Sequence, residues 1–239
     1  MKPDRVTSAL VMSNTPVTEA MDEPFATRLR GFGPIGILAI VLILAGNFIV
    51  APLSAVLVLV WARFSQTAWR ELGFIRPKNW IRTVTVGIFF GVAFKFVMKA
   101  LVMPLLGAPP INQAYHYLAG NSAAMPAMIL TMIIVAGFGE ETVFRGYLFE
   151  RLGKLFGTGS GARPVMVLLT SAWFALLHYP EQGLPGVEQA AFTGLVFGTI
   201  FAVTRQLWML MVAHAAFDLT ALAMIYWKIE FGIAHLLFK

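Results

Sequence analysis

From Pro34 to Trp227 the chain is a succession of apolar runs, at 34–62, 84–106, 123–149, 165–179, 184–203 and 207–227, separated by short connections. Of the 239 residues, 58% are hydrophobic and only 13% charged, and the mean hydropathy is +0.75. An ordinary soluble domain carries roughly a quarter charged residues, so a water-soluble globule is excluded. A bilayer offers the backbone no hydrogen-bond partner, and a helix closes those bonds internally. A membrane β-barrel would alternate apolar and polar residues, which these runs do not. The expected class is all-α, a polytopic transmembrane helix bundle.

The formal net charge is +6. Its Lys and Arg side chains lie in the gaps between apolar runs, where membrane topology places them, so they read as membrane anchoring and not as a nucleic-acid surface. With no cysteine in the chain there is no disulfide framework, thiolate nucleophile, Cys-ligated zinc or iron-sulfur site. Chemistry must come from His, Glu, Asp or hydroxyl groups. Residues 1–33 are polar and mixed in charge and are expected to form a flexible arm; residues 34–239 are expected to form one integral, multi-pass membrane domain with its motif core at 123–226.

The run at 34–62 is too long for one span. At about 1.5 Å per residue it covers roughly 43 Å against a hydrocarbon core of about 30 Å, so it is either a long kinked helix or a tight re-entrant pair. Arg28 and Arg30 precede it and Arg63, Arg70 and Arg76 follow it, which favours both ends on the same side. The connection 107–122 has no Lys or Arg, 150–164 has Arg151, Lys154 and Arg163, and 180–187 has none. From Arg63 onward the sides therefore alternate consistently.

Ionisable groups within apolar helices cost several kcal/mol and are functional hypotheses by default. Three runs carry them: GFGEETVFRGYLFERL with Glu140, Glu141 and Arg145; SAWFALLHYP with Phe174 and His178; and MVAHAAFDLTA with His214 and Asp218. Helical counting places Glu140, His178, His214 and Asp218 roughly 10 to 20 Å from the presumed cytoplasmic ends, where one cavity could collect them. Glu141 and Arg145 are four apart with the acid first, the favourable order for an ion pair, while Glu140 points about 100° away. Glu140 is then free to act as general base. Two imidazoles and two carboxylates without an activated Ser, Cys or Lys suit water as the nucleophile.

EETVFR at 140–145, FALLH at 174–178 and HAAFD at 214–218, in that order, resemble the EExxxR, FxxxH and HxxxN/D motifs of the CPBP (Abi) membrane proteins, which include the type II CAAX prenyl endopeptidases. ELGFIRP at 71–77 is similar to the linker preceding that family's core. The resemblance implies a bundle of about six to eight membrane helices around a conical cavity open to the cytoplasmic side, and a glutamate-dependent intramembrane endopeptidase. Its substrate would be a membrane-associated peptide or protein, prenylated in the CAAX case.

By the same resemblance Glu140 activates the water with help from His178, His214 and Asp218 stabilise the oxyanion, and Glu141, Arg145 and Phe174 hold the site in shape. An ionised aspartate cannot donate to an oxyanion, so Asp218 is expected to accept a hydrogen bond and orient His214. No cofactor is expected. The rival within this chemistry is zinc on Glu140, His178, His214 and Asp218, although the chain has no HExxH.

Two readings from other classes stand beside the protease: a non-proteolytic immunity or scaffold protein of the Abi type, and a transporter with a buried proton relay. The transporter predicts an inverted repeat that the sequence does not display. Lys95 and Lys99 share a helix face and read as snorkelling or interior pairing, Glu188 as a helix-terminal acid, and Trp208, Tyr226 and Trp227 as interfacial anchors. The expected partners are membrane lipid and the substrate, with no nucleic acid; the oligomeric state is open.

Overall fold

A computed structural model describes residues 19–49 and 52–238. The first part of the expected arm, residues 1–18, lies outside the described residues. Within the rest of it, α1 (Glu19–Arg30) is a helix with Arg28 and Arg30 in its last turn, where cations complement the helix dipole. It is followed by α2 (Pro34–Ile49), α3 (Leu53–Phe64), α4 (Trp80–Leu105), α5 (Met125–Phe156), α6 (Ala162–Leu176), α7 (Tyr179–Thr204), α8 (Leu207–Tyr226) and the short α9 (Glu230–Ala234). The described residues form an all-helical bundle.

Four helices, α4, α5, α7 and α8, are long and apolar enough to cross a membrane, and a fifth span results if α1 and α2, bent by 55° at their junction, count as one. This is fewer than the six to eight expected. The expected span at 165–179 is the 15-residue α6, about 22 Å long at 1.5 Å per residue and short of a hydrocarbon core of about 30 Å. The outward faces are apolar, with Ile81, Phe89 and Val203 among the most exposed side chains, as lipid contact requires.

The run at 34–62 resolves into a helical hairpin. α2 and α3 pack against each other, Gly46 lies against Ser54 at the tip, and Trp61 Nε1 donates to the Leu29 carbonyl at 3.2 Å, so the far end of α3 returns to the start of α2. Both basic flanks thereby share one face, which agrees with the charge count.

Close backbone contact between helices comes from small residues at four-residue spacing, as lipid-embedded interfaces favour. Gly87 and Gly91 on α4 lie against α8, where a Cβ at Gly91 would overlap the Ala213 carbonyl. Gly194 and Gly198 on α7 lie against Ser171 and Val167 of α6 in the same way. These glycines set the spacing of the helices that carry the ionisable groups.

At the basic end the connections are tied together. Arg30 pairs with Glu71, Arg205 Nη2 donates to the Glu71 carbonyl at 2.7 Å, and Arg151 Nη1 donates to the Arg30 carbonyl at 2.8 Å. Trp208 packs edge-on against Phe74 and Trp80 at this end, while Trp227, at the other end of α8, is exposed.

Candidate active site

Glu140 lies midway along α5, in a stretch wound wider than an α-helix: Thr131–Glu140 and Thr142–Leu148 are π-helical. Such turns are rare and concentrate at functional sites because they re-aim side chains. One turn before Glu140, Gly137 touches the Met211 carbonyl and the Ala215 side chain. The absence of a Cβ there lets α5 sit against α8 at the level of His214.

His214 is the centre of the cluster. Its Nδ1 is 2.7 Å from Glu141 Oε1, and Arg145 Nη1 donates to that same oxygen at 2.8 Å. Its Nε2 faces two further carboxylates, Glu140 Oε2 at 3.7 Å and Asp218 Oδ2 at 3.6 Å, both beyond hydrogen-bonding distance. The side chains of Glu141, Arg145 and His214 are 0%, 2% and 6% exposed, whereas those of Glu140 and Asp218 are 27% and 22% exposed. The cluster thus has a sealed half, Arg145–Glu141–His214, and an accessible half made by the Glu140 and Asp218 carboxylates.

Asp218, expected to accept a hydrogen bond and orient His214, lies 3.6 Å from Nε2, whereas Glu141 Oε1 engages Nδ1 at 2.7 Å. With Nδ1 as donor to Glu141, Nε2 is presented to Glu140 and Asp218 together. Glu140 Oε2 is buried and has no hydrogen-bond partner among the described residues.

His178 stands at the junction of α6 and α7, half-buried, with Nδ1 2.8 Å from the Phe174 carbonyl. A carbonyl only accepts, so Nδ1 carries the proton and a neutral ring offers Nε2 as a base. The Phe174 ring is wedged between the two imidazoles, with centroids 4.6 Å from His178 and 6.0 Å from His214, and the Arg145 guanidinium lies 4.8 Å from its centre. It is more than a neighbour of His178. Phe197 supports the other side of His214 at 5.5 Å.

Both interior lysines are paired, and neither snorkels. Lys99 Nζ donates to Glu230 Oε1 at 2.9 Å; Lys95 Nζ donates to Gln189 Oε1 at 2.7 Å and lies 4.7 Å from the centre of the Phe217 ring, beside Asp218. They line a cavity of about 100 Å³ with Asn112, Gln182 and Gln189. Sequence reasoning missed Gln189, a polar residue in the middle of an apolar run, which was the available signal. It also missed Tyr115, whose hydroxyl donates to Glu181 Oε2 at 3.1 Å and which has no signal in a polar connection. Burial, then the Glu181 carboxylate, pushes the Tyr115 phenol above its ordinary range. His116 and His235 do not join the cluster.

Among the described residues no three His, Asp or Glu side chains are arranged to hold a metal ion.

Residues 122–220 match the family described as Type II CAAX prenyl endopeptidase Rce1-like, a stretch that begins just before α5 and ends within α8. Neither a curated protein nor a solved structure matches the chain. The matched stretch contains EETVFR, FALLH and HAAFD, the segments that contribute the side chains around His214, and over these residues the chain is similar to that family of membrane proteases.

Proposed function

We propose that the protein is an intramembrane endopeptidase that hydrolyses a peptide bond of a membrane-associated substrate, using water activated by Glu140. The observation that carries this reading is the Glu140 carboxylate: partly accessible, with Oε2 free of protein hydrogen bonds and 3.7 Å from His214 Nε2. A carboxylate held by Arg145 would be a poor base, and Glu141 occupies that position instead.

In the proposed reaction a water gives its proton to Glu140 as its oxygen bonds to the scissile carbonyl carbon, and the carbonyl π electrons move onto oxygen. His214, carrying a proton on each ring nitrogen and held by Glu141 at Nδ1, donates from Nε2 to that oxyanion. As the tetrahedral intermediate collapses the C–N bond breaks, and the proton taken up by Glu140 passes to the leaving amine, with His178 Nε2 as the relay. A positioned base contributes about 10² to 10⁴ in rate and one oxyanion donor about 10² to 10³, so substrate positioning and exclusion of bulk water supply the rest. No metal or other cofactor enters this scheme. The family match supports a lipid-anchored, CAAX-type peptide as the substrate class, since a lipid chain holds the scissile bond at the bilayer.

The test maps new peptide termini in membranes that contain the wild-type or the His178→Ala protein, with and without EDTA. The proposal expects products that form with the wild type, persist in EDTA and are lost with His178→Ala. Loss in EDTA with recovery on adding zinc, or unchanged products from His178→Ala, would overturn the scheme.

A further inference from the structure

Lys95 is an ammonium within the apolar helix α4, 5% exposed and turned into the bundle. An ionisable side chain at such a position is costly to bury and is a functional hypothesis by default. Its direct partners are neutral: Nζ donates to the Gln189 amide oxygen at 2.7 Å and lies 4.7 Å from the centre of the Phe217 ring. Lys99, one turn further along α4, differs, because Glu230 Oε1 at 2.9 Å cancels its charge. An amide oxygen and a ring face orient an ammonium without neutralising it. The charge of Lys95 is therefore left to act elsewhere.

Where it acts follows from how α4 meets α8. Gly91, one turn before Lys95, sits against the Ala213–Phe217 turn of α8, which carries His214. A Cβ on Gly91 would overlap the Ala213 carbonyl and lie 2.9 Å from the Phe217 nitrogen. This close approach brings the Lys95 side chain over Phe217, the residue before Asp218. Of the charges around the Lys95 ammonium, the Asp218 carboxylate acts on it most strongly, ahead of Lys99 and Glu230.

Asp218 needs such a counter-charge. Two carboxylates face His214 Nε2, Glu140 Oε2 at 3.7 Å and Asp218 Oδ2 at 3.6 Å, and a third, Glu141, holds Nδ1 at 2.7 Å. Among the described residues around the ring, these three negative charges are opposed by Arg145 and by the imidazolium of His214 itself. One negative charge is then left over in a buried place. Like charges sharing a site disfavour joint ionisation, so the excess is relieved by a proton on one of the two carboxylates at Nε2. On Glu140 that proton removes the base. Lys95 supplies the third positive charge, and the set is neutral with Glu140 ionised. His178 in its neutral form leaves this balance unchanged, and Lys99 and Glu230 offset each other.

We infer that Lys95 is a positioning residue for the hydrolytic site: held by Gln189 and Phe217, its ammonium offsets the Asp218 carboxylate, so that Asp218 and Glu140 are both ionised around His214. It acts through Asp218 and not on the reacting atoms. The effect on rate rests on the hydrolytic reading of Glu140, whereas the coupling of Lys95 to Asp218 does not.

The test compares the full chain as wild type, Lys95→Met, Lys95→Arg, Asp218→Asn and the double replacement Lys95→Met/Asp218→Asn. Each is assayed in membranes by the new peptide termini formed per folded protein, and each is purified in detergent for thermal unfolding. A nearby opposite charge favours an ionised carboxylate by about tenfold or more, so Lys95→Met should form products about tenfold or more slowly than the wild type. The double replacement should form them at the rate of Asp218→Asn alone. Lys95→Arg keeps the charge, and the cavity of about 100 Å³ beside Lys95 leaves room for the larger group, so it should retain most of the rate. An equal loss on Lys95→Met with and without Asp218→Asn overturns the inference. A Lys95→Arg protein that unfolds like the wild type yet is as slow as Lys95→Met also overturns it. In the unfolding cycle, the change in unfolding temperature on Lys95→Met should be less favourable in the wild-type background than in the Asp218→Asn background; equal changes show the charges uncoupled and overturn the pairing. If the wild type forms no product, the hydrolytic reading fails, while the unfolding cycle still decides whether Lys95 and Asp218 are partners.

Discussion

His214 Nδ1 lies 2.7 Å from Glu141 Oε1, and this contact divides the labour between the adjacent glutamates. Glu141 is shared by His214 and Arg145 and is fully buried, so its charge is committed to holding the ring. Glu140, 3.7 Å from Nε2 on the other side of the same ring, has an oxygen without a hydrogen-bond partner among the described residues.

The first prediction separates Glu141 from Asp218. Because Asp218 stands 3.6 Å from Nε2 and does not fix the imidazole, Asp218→Asn should retain activity within about tenfold, as the HxxxN/D pattern allows. Glu141→Gln weakens the acceptor at Nδ1 and should cost about 10² to 10⁴ in rate, the scale on which orienting carboxylates act. Initial rates at matched amounts of folded protein would check both.

Arg145 supplies stability more than chemistry. Its guanidinium is buried on Glu141 and between the Phe174 and Phe197 rings. Removing one partner of such a pair leaves an uncompensated buried charge and costs about 3 to 5 kcal/mol. Arg145→Ala should therefore reduce the folded protein recovered in detergent and lower its unfolding temperature, whereas a Glu140→Gln protein should unfold like the wild type.

The Lys99–Glu230 pair should behave as a unit. Lys99→Met leaves the Glu230 carboxylate buried without its cation and should destabilise by a few kcal/mol, while the double replacement Lys99→Met/Glu230→Leu should recover most of that loss. A double-mutant cycle on thermal unfolding measures the coupling. Additive effects would show that the two side chains act independently.

Gly91 sets the distance between α4 and α8. A side chain there meets the Ala213 carbonyl, one residue from His214, and backbone cannot yield as a flexible side chain can. Gly91→Leu should cost about 1 to 3 kcal/mol or more through overpacking and should lower activity even in the fraction that folds. Gly107→Ala, at a position with open space around it but a left-handed φ of 73°, should affect stability modestly and activity little.

The sequence discloses the helical class, the basic end and the residues of the cluster, because each leaves a local trace: an apolar run, an Arg in a connection, a Glu or His where none should be. The ion pair Glu141–Arg145 is legible from its spacing of four, and the shared side of the 34–62 flanks from charge. What could not be read is pairing across helices. Whether Glu141 or Asp218 holds His214 depends on the wide turns of α5 and on the contact of Gly137 with α8, and π-helical winding has no simple periodic signature. The partners of Lys95 and Lys99, 94 and 131 residues away in sequence, were equally out of reach. The helix at Glu19–Arg30 was missed because a polar segment of mixed charge has no apolar stripe to mark it.

The most direct test of the central claim compares membrane peptides from cells producing the wild-type chain with those from cells producing Glu140→Gln at equal levels in the membrane. Cleavage products that appear with the wild type and vanish with Glu140→Gln are the predicted result. The same products in the same amounts from both proteins would contradict it.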